Sequence, residues 1–288
     1  MYENNYVTGT STEAIERLQA KRKAVTKTMF LIIFGAFFLI IPPIGLAIIL
    51  FGAWRVGKLR KEMKGLYKDA FVREPLMNNF ENVVYEPDGG FLRENVESFR
   101  LCEMGDIFAS EDYIRASYAG VPFEVAEVKV GKVTGTDEHP SSETYFEGRM
   151  MVFHFPDKLV SSVAAFSKKF KHRALSRDEA KHEKVELESM QFNDAFDVYS
   201  QTQQDAFYLI TPHFMERLMV LAGKYESIGM KVIGNRIFLG FNEPGKNVFD
   251  ANIEVGQLNI EQEMAKVQAE IEDIKVLISL ILNLKTYA

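Results

Sequence analysis

From Met29 to Trp54 the chain runs 26 residues without a charged side chain. A run of that length is hard to cover in a water-facing fold and predicts a membrane-embedded segment. Phe30, Phe34, Phe38, Pro42, Pro43, Leu50 and Trp54 are its candidate membrane-embedded residues, and the two prolines stand at its midpoint. Two adjacent prolines remove two backbone donors and push the preceding residues out of helical geometry, so a break is expected there. Each half, Met29 to Ile41 and Ile44 to Trp54, would be roughly 17–20 Å long at ~1.5 Å per residue, short of a hydrocarbon core of ~30 Å. The flanks are basic on both sides: Arg17, Lys21, Arg22, Lys23 and Lys27 precede the run, and Arg55, Lys58, Arg60, Lys61, Lys64 and Lys68 follow it. Cytoplasmic ends of membrane segments collect Lys and Arg. A re-entrant hairpin with both ends in the cytoplasm satisfies both clusters, whereas a single kinked span carries one of them across, and the hairpin is the reading preferred here. The run is too long and starts too late for a cleaved signal, and Trp54-Arg55-Val56 follows it in place of small cleavage-site residues.

Helical periodicity flanks this segment. Thr10 and Glu13 form a capping-box pattern, and Ile15, Leu18, Val25 and Met29 mark an apolar stripe broken by Arg22. Val56, Leu59, Met63, Leu66 and Ala70 recur at spacings of three and four, as do Ile260, Met264, Val267, Ile271, Ile274, Ile278 and Ile281. The expected order is an amphipathic juxtamembrane helix over 1–28, a membrane segment over 29–54, a second juxtamembrane helix over 55–75 closed by Pro75, a cytoplasmic domain over 76–255 and an amphipathic or coiled-coil helix over 256–288. The three helices can pack as a stalk, the last can instead lie on the domain's sheet, or its seam can join copies of the chain.

Between them, short apolar runs and turn signals predict an α+β domain, mainly antiparallel sheet with covering helices. Over Phe146–Phe155, Met151, Phe153 and Phe155 alternate with Met150, Val152 and His154. Asn82–Tyr85, Phe123–Val130 and Leu159–Ala165 are further strands. Lys231–Ile233 and Arg236–Phe238 meet across Gly234-Asn235 as a tight hairpin. Thr211 and Pro212 open a helix with Phe214, Leu218 and Leu221 on its apolar face, and Gly223 is placed to end it.

Charge divides the chain. Residues 1–75 hold 12 Lys/Arg against 6 Asp/Glu, and the remainder 22 against 34, so the domain carries −12 of a net −6. Such a surface repels phosphate backbones, and no nucleic-acid partner is expected. Cys102 is the single cysteine, which excludes an intramolecular disulfide and thiolate clusters; beside Leu101 it reads as a small core residue. Gly131-Lys132 lacks the spacing of a phosphate loop, and His182-Glu183 lacks a second histidine at position 186. The five histidines, His139, His154, His172, His182 and His213, show no metal-ligand spacing, and no cofactor or metal is expected. The acidic stretch Glu183, Glu186, Glu188, Asp194, Asp197 and Asp205 is mainly a solvated face, with acid/base work as the minority reading.

The run Val185–Ser200 (VELESMQFNDAFDVYS) followed by Ala206–Pro212 (AFYLITP) resembles a bacterial membrane family known as domain of unknown function 3137. Tyr118, Gly120, Pro122, Phe123 and Glu127, then Phe146-Glu147-Gly148, resemble its earlier strand motifs. The candidate motif residues are Glu188, Phe192, Phe196, Tyr199, Tyr208, Thr211 and Pro212. The resemblance implies a protein of the bacterial inner membrane, with its bulk in the cytoplasm and two short hydrophobic segments joined by a turn, and a LemA-type membrane protein as a partner. Physically, Phe192 and Phe196 sit four apart as on one helical face and read as a core ridge. The function expected from these residues is a membrane-anchored interaction or scaffolding protein, in contact with lipid and with a protein partner or a second copy through the heptad helices. The alternatives are a membrane-bound hydrolase using the acidic residues around 183–205 and a lipid-handling accessory protein.

Overall fold

The structure is a computed structural model, which describes residues 9–37, 42–136, 139–171, 182–250 and 260–284. The chain divides into two units, one of residues 1–79 and 248–271 and the other of 80–247 and 272–288.

The first unit is helical. α1 (Gly9–Phe37) and α2 (Pro42–Tyr67) pack on each other, and a π-helical turn (Lys68–Arg73) leads into α3 (Glu74–Asn79). Pro42 and Pro43 thus head α2, the place where a missing N–H leaves no helical bond unmade. Pro75 does not close the helix as expected. Helical structure continues to Asn79, because the π-helical turn ahead of Pro75 widens the backbone where the proline has no N–H to return. The side-chain amide of Asn79 donates to the carbonyl of Pro75 at 2.8 Å and ties off the end. α8 (Ile260–Leu284) gives its first twelve residues to this unit. There the Tyr67 hydroxyl donates to Glu263 at 2.6 Å, and the buried Lys68 ammonium pairs with Asp250 at 3.2 Å.

The second unit is built on an antiparallel sheet. Its strands are β1 (Glu81–Glu86), β2 (Ile107–Tyr118), β3 (Val121–Thr136), β4 (His139–His154), β5 (Val160–Ser167), β6 (Glu183–Val185), β7 (Phe196–Ser200), β8 (Ser227–Gly234) and β9 (Arg236–Asn242). Among the described residues nine strands are hydrogen-bonded in the order β1-β2-β3-β4-β9-β8-β5-β7-β6. The class read from the sequence, α+β with a large antiparallel sheet and helices, is the class observed. Strand alternation divides the side chains between two faces. Phe123, Val125, Met151, Phe153, Leu239 and Met230 stand in register on one. Ala126, Val128, Phe146, Met150, Val152 and Phe238 line the other, under Phe91 and the residues Val96 and Phe99 of α4 (Arg93–Phe99). Phe99 stacks on Phe238 with ring centroids 5.1 Å apart.

The turn Gly234-Asn235 closes β8 onto β9 as read from the sequence, with Ile233 opposite Arg236 and Gly234 at φ 63°. α5 (Met190–Ala195) and α6 (Gln203–Leu209) flank β7. α7 (Pro212–Lys224) is capped by the Thr211 hydroxyl, which accepts from the Phe214 N–H. It runs one residue past Gly223, ending where Tyr225 turns extended. Lys224 and the Tyr225 hydroxyl both reach Asp273 in the second half of α8, the hydroxyl at 2.6 Å.

Two further sequence expectations are corrected. The heptad seam of α8 is not a free coiled-coil face, since Val267, Ile271, Ile274 and Ile278 are at most 1% exposed within the single chain. Nor does the alternative of a single kinked span find support: among the described residues no helix is long and apolar enough to cross a membrane.

Candidate functional site

A chemical asymmetry divides the surface of the α1–α2 hairpin. Small residues let two helices approach closely, and Gly52 faces Ile32 so tightly that a Cβ added there would collide with the isoleucine side chain. Lower down, Lys21 of α1 pairs with Glu62 of α2. These two contacts make the helices antiparallel and set Met29 and Trp54 at about the same height, since Met29 lies three residues from Ile32 on α1 and Trp54 two from Gly52 on α2.

On one side of that level the surface is apolar. Phe30, Phe34, Leu50 and Trp54 are 68%, 64%, 61% and 62% exposed, joined by Leu31, Ile33, Leu46 and Phe51. Exposed side chains of this size on both arms form a patch of the kind that marks an interaction surface. Phe38 lies outside the described residues. On the other side the surface is cationic. Between Lys21 and Lys61 the chain holds eight Lys/Arg and no Asp or Glu. Lys23, Lys27, Arg55, Lys58, Arg60 and Lys61 are exposed. From Arg55 to Lys61 is six helical steps, a band of ~9 Å at ~1.5 Å per residue. Lys58 sits over the Trp54 ring at 5.8 Å from its centroid, which places the border between the two zones on that side chain.

The family-motif residues form the β6–α7 stretch of the second unit. Phe192 and Phe196 are buried and stack with centroids 4.7 Å apart and planes at 7°. They do not share a helix as read from the sequence, because α5 ends at Ala195 and Phe196 opens β7 in extended geometry. The chain turns there because Asn193 clamps Leu187, accepting from its N–H at 3.0 Å and donating to its carbonyl at 2.8 Å, while Ser189 caps α5. Tyr199 is half-buried, opposite Ala164 and Lys184. Tyr208 is exposed on α6, Glu188 is exposed ahead of α5, and Thr211 and Pro212 start α7.

The acidic residues of this stretch do not converge. Asp197 is shared by Lys168 and Lys184 at 2.5 and 2.7 Å, and these ammonium groups outweigh its desolvation to hold its pKa below the usual value. Asp205 accepts from the Ser161 N–H, and Glu183, Glu186, Glu188 and Asp194 are exposed. Among the described residues no group of three His, Cys, Asp or Glu side chains could hold a metal ion. His182 Nε2 lies 2.8 Å from the Ser162 hydroxyl, and burial lowers the imidazole pKa, so this histidine is neutral near pH 7. Ser162 is itself buried, and its carbonyl accepts from the Ser200 hydroxyl, which fits the pair to a role inside the sheet.

A second polar cluster has no sequence signature. Arg149 is fully buried, with one guanidinium nitrogen 2.9 Å from Glu243, another 3.6 Å from Glu127, and the guanidinium carbon 5.3 Å from the Tyr225 ring centroid. Gly148 beside it sits at φ 152° and a Cβ there would collide with the Phe241 carbonyl, so β4 and β9 close tightly over the ion pair. The one available signal was a charge in phase with Met151 and Phe153 on the inward face of β4.

No curated protein matches the chain. Among solved structures, the crystal structure of the mycobacterial trehalose monomycolate transport factor A, TtfA, is similar at 10% identity with a TM-score of 0.38, covering 74% of this chain and 95% of that one. Residues 144–286 match the model of a family described as "Protein of unknown function (DUF3137)". Residues 144–286, from within β4 through α8, thus carry a DUF3137 domain.

Proposed function

We propose that the chain is a monotopic membrane protein, whose α1–α2 hairpin inserts into one leaflet of an anionic membrane and holds the α+β domain at that surface as an interaction module. The observation that carries this reading is the border at Met29 and Trp54, with exposed apolar side chains on one side and a cationic band on the other. The apolar parts, Met29–Phe37 and Pro42–Trp54, measure ~12 and ~18 Å at ~1.5 Å per residue, close to half of a ~30 Å hydrocarbon core. The cationic band then falls at the headgroups, where each Lys or Arg contributes about 1 kcal/mol against anionic lipid. Both arms leave on the same side, which suits both basic clusters and supports the cytoplasmic leaflet of a bacterial inner membrane as the site. A protein partner, LemA-type or other, would meet the domain there.

The test places one cysteine on each arm, Ala20→Cys and Gly65→Cys, both at exposed positions. Cys102 is buried and adds no background. In intact cells making the full-length chain, an impermeant maleimide added outside should reach neither arm, and both after lysis. Labelling of one arm alone from outside would contradict the hairpin.

A further inference from the structure

The hairpin adds volume to one leaflet and none to the other, and this has a consequence for the kind of membrane it selects. Two packed helices of ~10 Å diameter present a section of roughly 10 by 20 Å. The heights worked out above confine that section to about one leaflet. We infer that the hairpin is a wedge that prefers convex, anionic membrane surfaces over flat ones of the same composition. This rests on the hairpin reading and goes beyond it.

Three features support it. The exposed aromatic side chains Phe30, Phe34, Phe51 and Trp54 lie in the part that enters lipid, and Trp54 and Phe51 pack with centroids 5.8 Å apart near the border. On a convex surface the outer headgroups are spread and leave apolar gaps, which rings of this size fill; on a flat surface the same rings must first separate lipids. The cationic band supplies the second requirement, because eight Lys/Arg without a carboxylate between Lys21 and Lys61 attract anionic headgroups at any curvature. Third, among the described residues neither arm is long and apolar enough to cross the membrane and balance the added area. Composition and curvature are therefore read by different residues, the first by Lys23, Lys27, Arg55, Lys58, Arg60 and Lys61, the second by the rings.

The experiment measures binding of the full-length chain to vesicles of phosphatidylcholine with about 30% phosphatidylglycerol, at diameters of about 30 and about 200 nm, by flotation at equal accessible lipid. The inference predicts binding about tenfold tighter on the small vesicles. Lys58→Gln with Arg60→Gln should weaken binding at both sizes and leave their ratio unchanged. Equal affinity at both sizes would overturn curvature selection while leaving insertion in place. A ratio that collapses in the charge variant would overturn the division of labour. Binding to neither size would contradict the hairpin reading itself.

Discussion

Removing the apolar surface without touching the charges separates insertion from electrostatic adsorption. The perturbation is Phe30→Ser, Phe34→Ser and Leu50→Ser together. Each side chain is about two-thirds exposed, so each has about two-thirds of its burial free energy still to gain. Full burial of a Phe or Leu contributes roughly 1.5–3 kcal/mol, which leaves about 1–2 kcal/mol per residue for the membrane to supply. The three together come to about 3–6 kcal/mol, a weakening of roughly 10²- to 10⁴-fold at 1.4 kcal/mol per factor of ten. The same exposure means that the fold has little to lose, so far-UV circular dichroism and the denaturant midpoint should stay near those of the parent chain. Flotation with anionic vesicles gives the ratio directly. A triple variant that binds within threefold of the parent would refute the reasoning, because adsorption would then rest on the lysines and arginines alone.

Arg149→Met leaves the buried carboxylates of Glu127 and Glu243 without their guanidinium and should cost about 3–5 kcal/mol in urea unfolding; adding Glu127→Gln and Glu243→Gln should recover part of it. Because burial lowers the His182 pKa, the native state resists a proton that the unfolded chain accepts. The stability this group contributes is fully present above its unfolded pKa near 6.5 and is lost as pH falls below it. The unfolding midpoint should therefore drop more between pH 7.5 and 5.5 in the parent than in His182→Gln, and parallel curves would count against it. Burial pushes the Cys102 thiol up to about 12, so it should react with a thiol reagent at pH 8 only as fast as the protein unfolds; immediate reaction in the native state would contradict its placement.

The parts of the fold that were legible are those in which local pattern and tertiary demand agree. Met150 to Phe153 run continuously apolar because β4 buries both faces, and Gly234-Asn235 turns where β8 must meet β9. β2 was missed because Glu111 and Asp112 interrupt its alternation. The structure places Asp112 at φ 57° in a bulge, fully buried, accepting from the Tyr85 hydroxyl at 2.6 Å, an arrangement that depends on a residue 27 positions away. Phe196 was assigned to a helix because an i, i+4 aromatic pair is the helical signature, and nothing local reveals that Asn193 folds the chain back on Leu187. The candidate membrane surface was plain from hydropathy and the flanking cations. The common height of Met29 and Trp54 was not, since it rests on Gly52 meeting Ile32 and Lys21 meeting Glu62. The Arg149 cluster joins residues 22 and 94 positions apart, beyond any window of sequence periodicity.

Trp54 is the single tryptophan of the chain, and it stands on the border between the apolar and cationic zones. Its emission in the full-length protein, titrated with anionic vesicles carrying a quencher either at the headgroup or deep in the acyl chain, reports the height of that border. One-leaflet insertion requires a blue shift on binding and stronger quenching from the shallow label than from the deep one. Emission that keeps its aqueous maximum, or that the deep label quenches more strongly, would contradict it.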